Sequence, residues 1–308
     1  MTLLKQIDVV YEGDEGLETY TLPVLTATAK SSVIVRKVTG LEPPTNSLFV
    51  GEYSRDGGTY QGRRTQVRNV VITVDLNPSP ALGQTVSSLR QELYRIFMDP
   101  QVESEYVQLV LTLVDGSELY VIGYTETIES EIFGAETSMQ ISMVCPDPFI
   151  RDSVGTVLYN ETGTWKITPP FAYLGTAKSG FETQLQVDSA VSRIALVLNN
   201  RSMIVEHDFV TNDVIYLNTN VGELDIRRAS GTDFADVQAA YPEMTLAELW
   251  ETLRVDGQTT PLVGGLANSS RWLQLKSKSN VIAVHGSAFE DGLVGVKALQ
   301  YRAAYWGL

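Results

Sequence analysis

Val67-Arg68-Asn69-Val70-Val71-Ile72-Thr73-Val74-Asp75-Leu76 puts Val70, Ile72, Val74 and Leu76 on one face of an extended chain and Asn69, Thr73 and Asp75 on the other. This period-two alternation marks a strand with one face in a core and the other toward water. Asn77-Pro78-Ser79-Pro80 ends the run, because proline has no N–H to give a ladder. A helix follows at once. Thr85 is placed to cap it, Val86, Leu89, Leu93, Ile96 and Phe97 recur at helical spacing, and Asp99-Pro100 stops it. The pattern predicts a helix over 85–98 with one apolar stripe laid on a sheet.

Outward from this pair the chain stays rich in strands. Toward the N-terminus, Ser32–Val38 has the β-branched density of a strand, and Gly40-Leu41-Glu42-Pro43-Pro44 breaks it. Thr45–Gly62 is rich in Gly, Asn, Asp and Ser around Asp56-Gly57-Gly58 and reads as a long loop or protruding hairpin, an arm over about 45–62. Toward the C-terminus, Val107–Val114 and Leu119–Tyr124 form a hairpin around Asp115-Gly116, and Ser138–Val144 is a further strand. Cys145-Pro146-Asp147-Pro148-Phe149 then reads as a domain junction, giving domains 1–148 and 149–308.

The second half reads as a β-sandwich of short strands: 184–187, 193–198, 203–205, 214–217, 224–227, 272–275, 281–285 and 296–305. Asn199-Asn200 and Asn218-Thr219-Asn220 punctuate it as turns. Thr245–Val255 is the exception, a helix opened by a capping box of Thr245 and Glu248. The segment 231–270 around it reads as an insertion. The fold class expected is mainly β with one helix per domain.

Charge and composition narrow the function. The 308 residues carry a formal net charge of −14, with 10 basic and 20 acidic residues in 1–150. Such a surface is repelled by phosphate backbones and argues against tight nucleic-acid binding. Hydrophobic residues make up 44% of the chain, enough for two packed cores rather than a disordered chain. A single cysteine, Cys145, allows no internal disulfide and fits synthesis in a reducing cytosol. The first eight residues lack the form of a signal peptide, and no stretch reaches the roughly 18 apolar residues of a membrane span.

The search for chemistry returns little. His207 and His285 stand far apart with no Cys-x-x-Cys or His-x-x-x-His beside them, so no metal or cofactor site is expected. His207-Asp208 is the one candidate acid–base pair, read more simply as a histidine after a strand. No nucleophile elbow or phosphate-cradling glycine loop occurs, so the chain does not read as an enzyme. The acidic clusters 12–15 and Glu126, Glu129, Glu131 lack calcium-loop spacing. Arg63, Arg64 and Arg68 concentrate positive charge in an acidic half. They either pair with an acidic neighbouring subunit or protect a strand edge. Trp272 and Trp306 are candidate exposed aromatics for stacking on a sugar, or else anchors in a core or interface.

Three stretches taken together resemble a known family. They are the strand-to-helix passage Arg63–Met98, the junction Met143–Phe149 with its Cys145-Pro146-Asp147-Pro148-Phe149, and the ending Tyr301–Leu308 (YRAAYWGL) preceded by Ser279-Asn280-Val281-Ile282. In this order they resemble the distal tail proteins of long-tailed siphophages, which are baseplate or tail-tip hub components. The resemblance implies a tail-tube-like β-sandwich or split barrel carrying an arm, followed by a galectin-like β-sandwich. It implies a homo-hexameric ring joining the tail tube protein to the tail-tip hub protein, in the virion, with receptor-binding proteins as further partners. Genomic DNA would pass through the lumen without specific binding. By position, Tyr53, Tyr60, Arg63, Arg64 and Arg68 would fall in the ring and arm interface. The insertion 231–270 departs from the family, and His207 is followed by Asp208-Phe209-Val210-Thr211 rather than a galectin-type His-x-Asn-x-Arg. A carbohydrate-binding module aiding host cell-wall adsorption is the alternative function. A hydrolase is a weaker one, since no convergent acid and base are visible.

Overall fold

The computed structural model describes residues 4–13, 16–24, 31–52, 58–98, 106–130, 137–220, 222–286 and 294–308. They form two compact units. The first is Met1–Val154 with Tyr305–Leu308, and the second is Gly155–Ala304. Both are dominated by antiparallel sheet.

In the first unit the strands are β1 (Leu4–Gly13), β2 (Gly16–Pro23), β3 (Val33–Thr39), β4 (Asn46–Glu52), β5 (Gly58–Thr65), β6 (Arg68–Leu76), β7 (Val107–Leu113), β8 (Glu118–Ser130), β9 (Ser138–Cys145) and β10 (Ile150–Asp152), with helix α1 (Val86–Met98) between β6 and β7. The ladder order is β2-β1-β7-β8-β9-β6-β3. A parallel bridge from Val24, just after β2, to Val35 on β3 draws the two outer strands together. The sheet therefore curls toward closure, which removes the free edges that invite aggregation. Strand β8 makes the curl possible. Its beginning pairs with β7 and its end with β9, and the change of partner falls at Gly123–Tyr124. A Cβ on Gly123 would lie 2.8 Å from Cys145 Sγ and 3.2 Å from the Val144 carbonyl, so only glycine lets the strands cross this closely.

Inside the curl lies one core. Val70, Ile72, Val74 and Leu76 are buried on β6 as the alternation predicts, facing Met139, Ile141 and Met143 from β9. Helix α1 closes the core with Leu89, Leu93, Ile96 and Phe97. Thr85 caps the helix. Its Oγ1 accepts from the Ser88 N–H at 3.0 Å, and Ser88 Oγ returns the bond by accepting from the Thr85 N–H at 2.9 Å.

The second unit contains β11 (Thr156–Trp165), β12 (Phe171–Tyr173), β13 (Glu182–Val187), β14 (Val191–Leu198), β15 (Arg201–Phe209), β16 (Val214–Asn218), β17 (Asp225–Ala229), α2 (Gly231–Ala240), α3 (Leu246–Val255), β18 (Thr259–Pro261), β19 (Lys278–Asn280), β20 (Ile282–His285) and β21 (Val294–Tyr301). A six-stranded sheet of order β11-β21-β13-β16-β17-β18 packs on a three-stranded sheet, β15-β14-β20. Leu185, Ile215, Leu217 and Ile226 from the first meet Ile194, Leu196, Met203, Val205 and Phe209 from the second. The void left between them is about 10 Å³, room for no more than one water.

Strand β16 explains the insertion. Every residue from Val214 to Asn218 is buried. Ile215 and Leu217 face the sandwich core, while Val214 and Tyr216, on the opposite face, pack under Phe234 and Val237 of α2 and Leu249, Trp250 and Leu253 of α3. Trp250 stacks on Tyr216 with centroids 5.4 Å apart and tilts against Phe234 at 5.5 Å. The insertion is thus a second layer over the outer face of the larger sheet.

Three expectations need correction. The second unit holds two α-helices rather than one. Helix α2 buries only Phe234 and Val237, a stripe too short to show as periodicity, though Ser230 caps it by accepting from the Asp233 N–H at 3.1 Å. Trp272–Leu275 is not a strand; its only bridge is Leu275 to Ser179. The junction lies at Val154–Gly155 rather than after Pro148, because β10 adds to the first sheet, pairing Arg151 with Tyr120 and Asp152 with Leu119 on β8.

Candidate functional site

The arm is a two-stranded ribbon. Among the described residues, strands β4 and β5 pair only with each other, in register from Asn46–Thr65 to Glu52–Gly58. Residues 53–57, including Tyr53, lie outside the described residues. The base is zipped by side chains: Thr65 Oγ1 donates to Asn46 Oδ1 at 2.9 Å, and Gln66 Nε2 donates to Ser47 Oγ at 2.9 Å. What lies above the base is unusual for a soluble surface. Leu48 is 63% exposed, Phe49 52%, Val50 55% and Tyr60 59%. Contiguous exposed apolar side chains of this size mark an interaction surface. Covering them fully would be worth about 1.5–3 kcal/mol each.

At the foot of the ribbon the three sequence stretches that carry the family resemblance converge on Arg68. Its side chain is buried, and its guanidinium donates to four carbonyls: Pro148 at 2.8 Å, Glu42 at 2.8 Å, Trp306 at 2.7 Å, and Gly40. Burial lowers its pKa, and the nearby Cys145, Glu42 and Asp147 act in the opposite direction. The planar fork of arginine satisfies several fixed acceptors at once, which lysine cannot. Gly40 adopts φ +87°, and a Cβ there would run into the Asn69 carbonyl, so the chain can turn back on the clamp only with glycine.

The terminal residues complete the foot. The Leu308 N–H donates to the Leu41 carbonyl at 3.1 Å. The Trp306 ring meets Phe149 edge-on at 5.0 Å, and the Arg63 guanidinium lies over it at 5.8 Å. At the junction, Asp147 accepts from the Phe149 N–H at 3.1 Å and pairs with Arg151 at 2.7 Å. Pro146 is exposed beside it. Cys145 is fully buried, and desolvation pushes its thiol up to about 11, so it stays protonated and unreactive at neutral pH.

The structure therefore sorts the candidate residues. Arg68 is neither an interface cation nor an edge guard. It is an internal clamp, because four of its five N–H donors find carbonyls from three separate segments. Arg63 belongs to the same foot through Trp306. Arg64 is exposed on β5, opposite Ser47. Trp306 is half-buried between Phe149 and Arg63 and offers no open platform; Trp272, also half-buried, belongs to the other unit. His207 and Asp208 lie where β15 shifts register against β14, and no hydrogen bond joins them among the described residues. His207 instead sits edge-on to Phe209 at 5.1 Å. Glu126 and Glu129 lie on β8; Asp14, Glu15 and Glu131 lie outside the described residues. No group of three metal-ligating side chains gathers among the described residues.

Comparison with known proteins agrees with this geometry at the level of fold. No family model matches the chain, and no curated protein matches its sequence. Among solved structures, the SPP1 Dit (gp 19.1) protein, a paradigm of the hub adsorption apparatus in Gram-positive-infecting phages, superposes with a TM-score of 0.56 at 12% identity, over 89% of this chain and 93% of that one. This chain has the Dit fold. The phage P2 baseplate in its activated conformation with Ca is also matched, at a TM-score of 0.44 and 9% identity over 97% of both chains. A superposition over 89% of the chain takes in residues of both units.

Proposed function

We propose that this chain is a structural virion protein. It forms a hexameric ring that connects the tail tube to the baseplate or tail tip and lets DNA pass through the lumen. The observation that carries the reading is the ribbon β4–β5, which holds Leu48, Phe49, Val50 and Tyr60 in water on a clamped base. An apolar ribbon held out from a finished core fits a clasp on the next copy of the chain, a contact that closes by rotation into a ring. The Dit fold over nearly the whole chain supports the hub assignment. The acidic balance of residues 1–150 suits a wall that DNA must pass without sticking.

Negative-stain electron microscopy of the concentrated protein tests the reading. Sixfold rings with an open centre are the expected result. A chain with Asn46–Thr65 replaced by a short Gly-Ser linker should remain monomeric and fail to restore tails in a complementation assay. Normal rings and tails from that deletion would refute the clasp.

A further inference from the structure

A depression of about 450 Å³ is lined by Asn200, Arg201, Ser202, Ser269 and Arg271. Its lining residues are all of polar types and include two arginines, in a chain of net charge −14. Neither Arg201 nor Arg271 has an ion pair among the described residues, while Arg227 and Arg228 of the same unit are paired to Asp225 and Asp213. Arginines that face an open hollow without a carboxylate are placed to receive one from outside.

The hollow is built on rigid backbone. Asn199 and Asn200 both adopt positive φ, at 49° and 64°, the two-residue turn that matches the twist of a hairpin and that asparagine tolerates. Asn199 is further tied to Asn280, its Nδ2 donating to Oδ1 at 2.8 Å. Arg201 leaves this turn on β15. Residues 266–271 are latched along β15: the Ala267 N–H donates to the Ile204 carbonyl at 3.0 Å, the Ile204 N–H donates to Ser270 Oγ at 2.9 Å, and the Arg271 N–H donates to the Ser202 carbonyl at 3.1 Å. The two arginines thus sit on neighbouring, hydrogen-bonded segments and line one hollow, on backbone that is already ordered.

We infer that this hollow binds an oxyanion carried on a hydroxyl-rich molecule, a polyol phosphate or an acidic sugar. The volume falls within the range of small-ligand sites. Two guanidiniums serve the phosphate or carboxylate, while two serine hydroxyls and an asparagine amide match hydroxyl groups. A protein partner fits poorly, because the hollow offers no apolar or aromatic anchor.

Isothermal titration of the full chain at low salt tests this with four probes: glycerol 1-phosphate, glucuronate, inorganic phosphate and glucose. Glycerol 1-phosphate or glucuronate should bind with dissociation constants on the order of 1 mM. Glucose should not bind, and inorganic phosphate should bind more weakly than its glycerol ester. Arg201→Gln and Arg271→Gln should each weaken binding about tenfold or more without changing the melting temperature, since both side chains are exposed. Arg201→Lys should retain part of the affinity. Absence of binding by any anion up to about 10 mM overturns the inference. Binding that survives the double glutamine variant overturns it equally.

Discussion

The ribbon β4–β5 and the helical insertion α2–α3 are both excursions from the strand framework, and they treat their apolar side chains in opposite ways. The insertion buries Phe234, Val237, Leu249, Trp250 and Leu253 on the outer face of β16. The ribbon leaves Leu48, Phe49, Val50 and Tyr60 in water. The first excursion finishes inside its own chain. The second, on the proposed function, is finished by the next copy of the chain. Exposed apolar surface costs free energy in the isolated protein, and a fold that retains it on a firmly clamped base points to a contact made after folding.

The contrast can be broken most sharply at the insertion. Trp250→Ala removes the ring stacked on Tyr216 and should destabilise the second unit by about 3–5 kcal/mol, measured by urea unfolding. A loss under about 1 kcal/mol would mean the helices are not a true second layer. Next in size is the foot of the ribbon. Arg68→Ala strands carbonyls from residues 40, 42, 148 and 306 and should cost the first unit about 3 kcal/mol, with Arg68→Lys recovering only a part. Hydrogen exchange of the amides at 40–42 and 306–308 should rise together in the variant; protection unchanged at one end would show the clamp to be two separate contacts. On the ribbon itself the sign should reverse. Leu48→Ser with Phe49→Ser should leave stability within about 0.5 kcal/mol of the parent and yet abolish ring formation. A large loss of stability would show these side chains to be core.

The smallest effect concerns pH. Glu182 on β13 is raised above its usual value of 4.5, by burial first, with the hydrogen bond from Gln300 acting against it. Its folded value exceeds its unfolded one, so its contribution to stability is complete below pH 4.5 and is lost as pH rises through the folded value. Glu182→Gln should therefore gain thermal stability over the parent as pH is raised toward 7, and match it in acid. A melting-temperature difference that does not change with pH would remove Glu182 as the titrating group.

Elements whose local chemistry agreed with the fold could be read from the sequence. Strand β6, helix α1 with Thr85, the Asp115-Gly116 turn and the Thr245–Glu248 capping box all combine periodicity with a terminal signal. Helix α2 was hidden because two buried residues make no stripe. The second layer was hidden because β16 reads as an apolar run whether one face or both are covered. Of the site, the arm and the residues of its foot were visible one by one, but their convergence was not. Arg68 and Trp306 are 238 positions apart, and no local pattern joins a guanidinium to a distant carbonyl. The hollow around Arg201 and Arg271 was equally invisible, since it depends on residues 266–271 lying beside β15.

The return of Tyr305–Leu308 to the first unit also sets an order of synthesis. Arg68 leaves the ribosome early, but its acceptor on Trp306 is made only after the whole of Gly155–Ala304 has been translated. Until then the first unit can collapse around its core with Arg68 held by Gly40, Glu42 and Pro148 but without the Trp306 carbonyl. Only a chain translated through Trp306 can fill all four acceptor positions around Arg68, so the last residues made complete the foot of a ribbon that left the ribosome among the first.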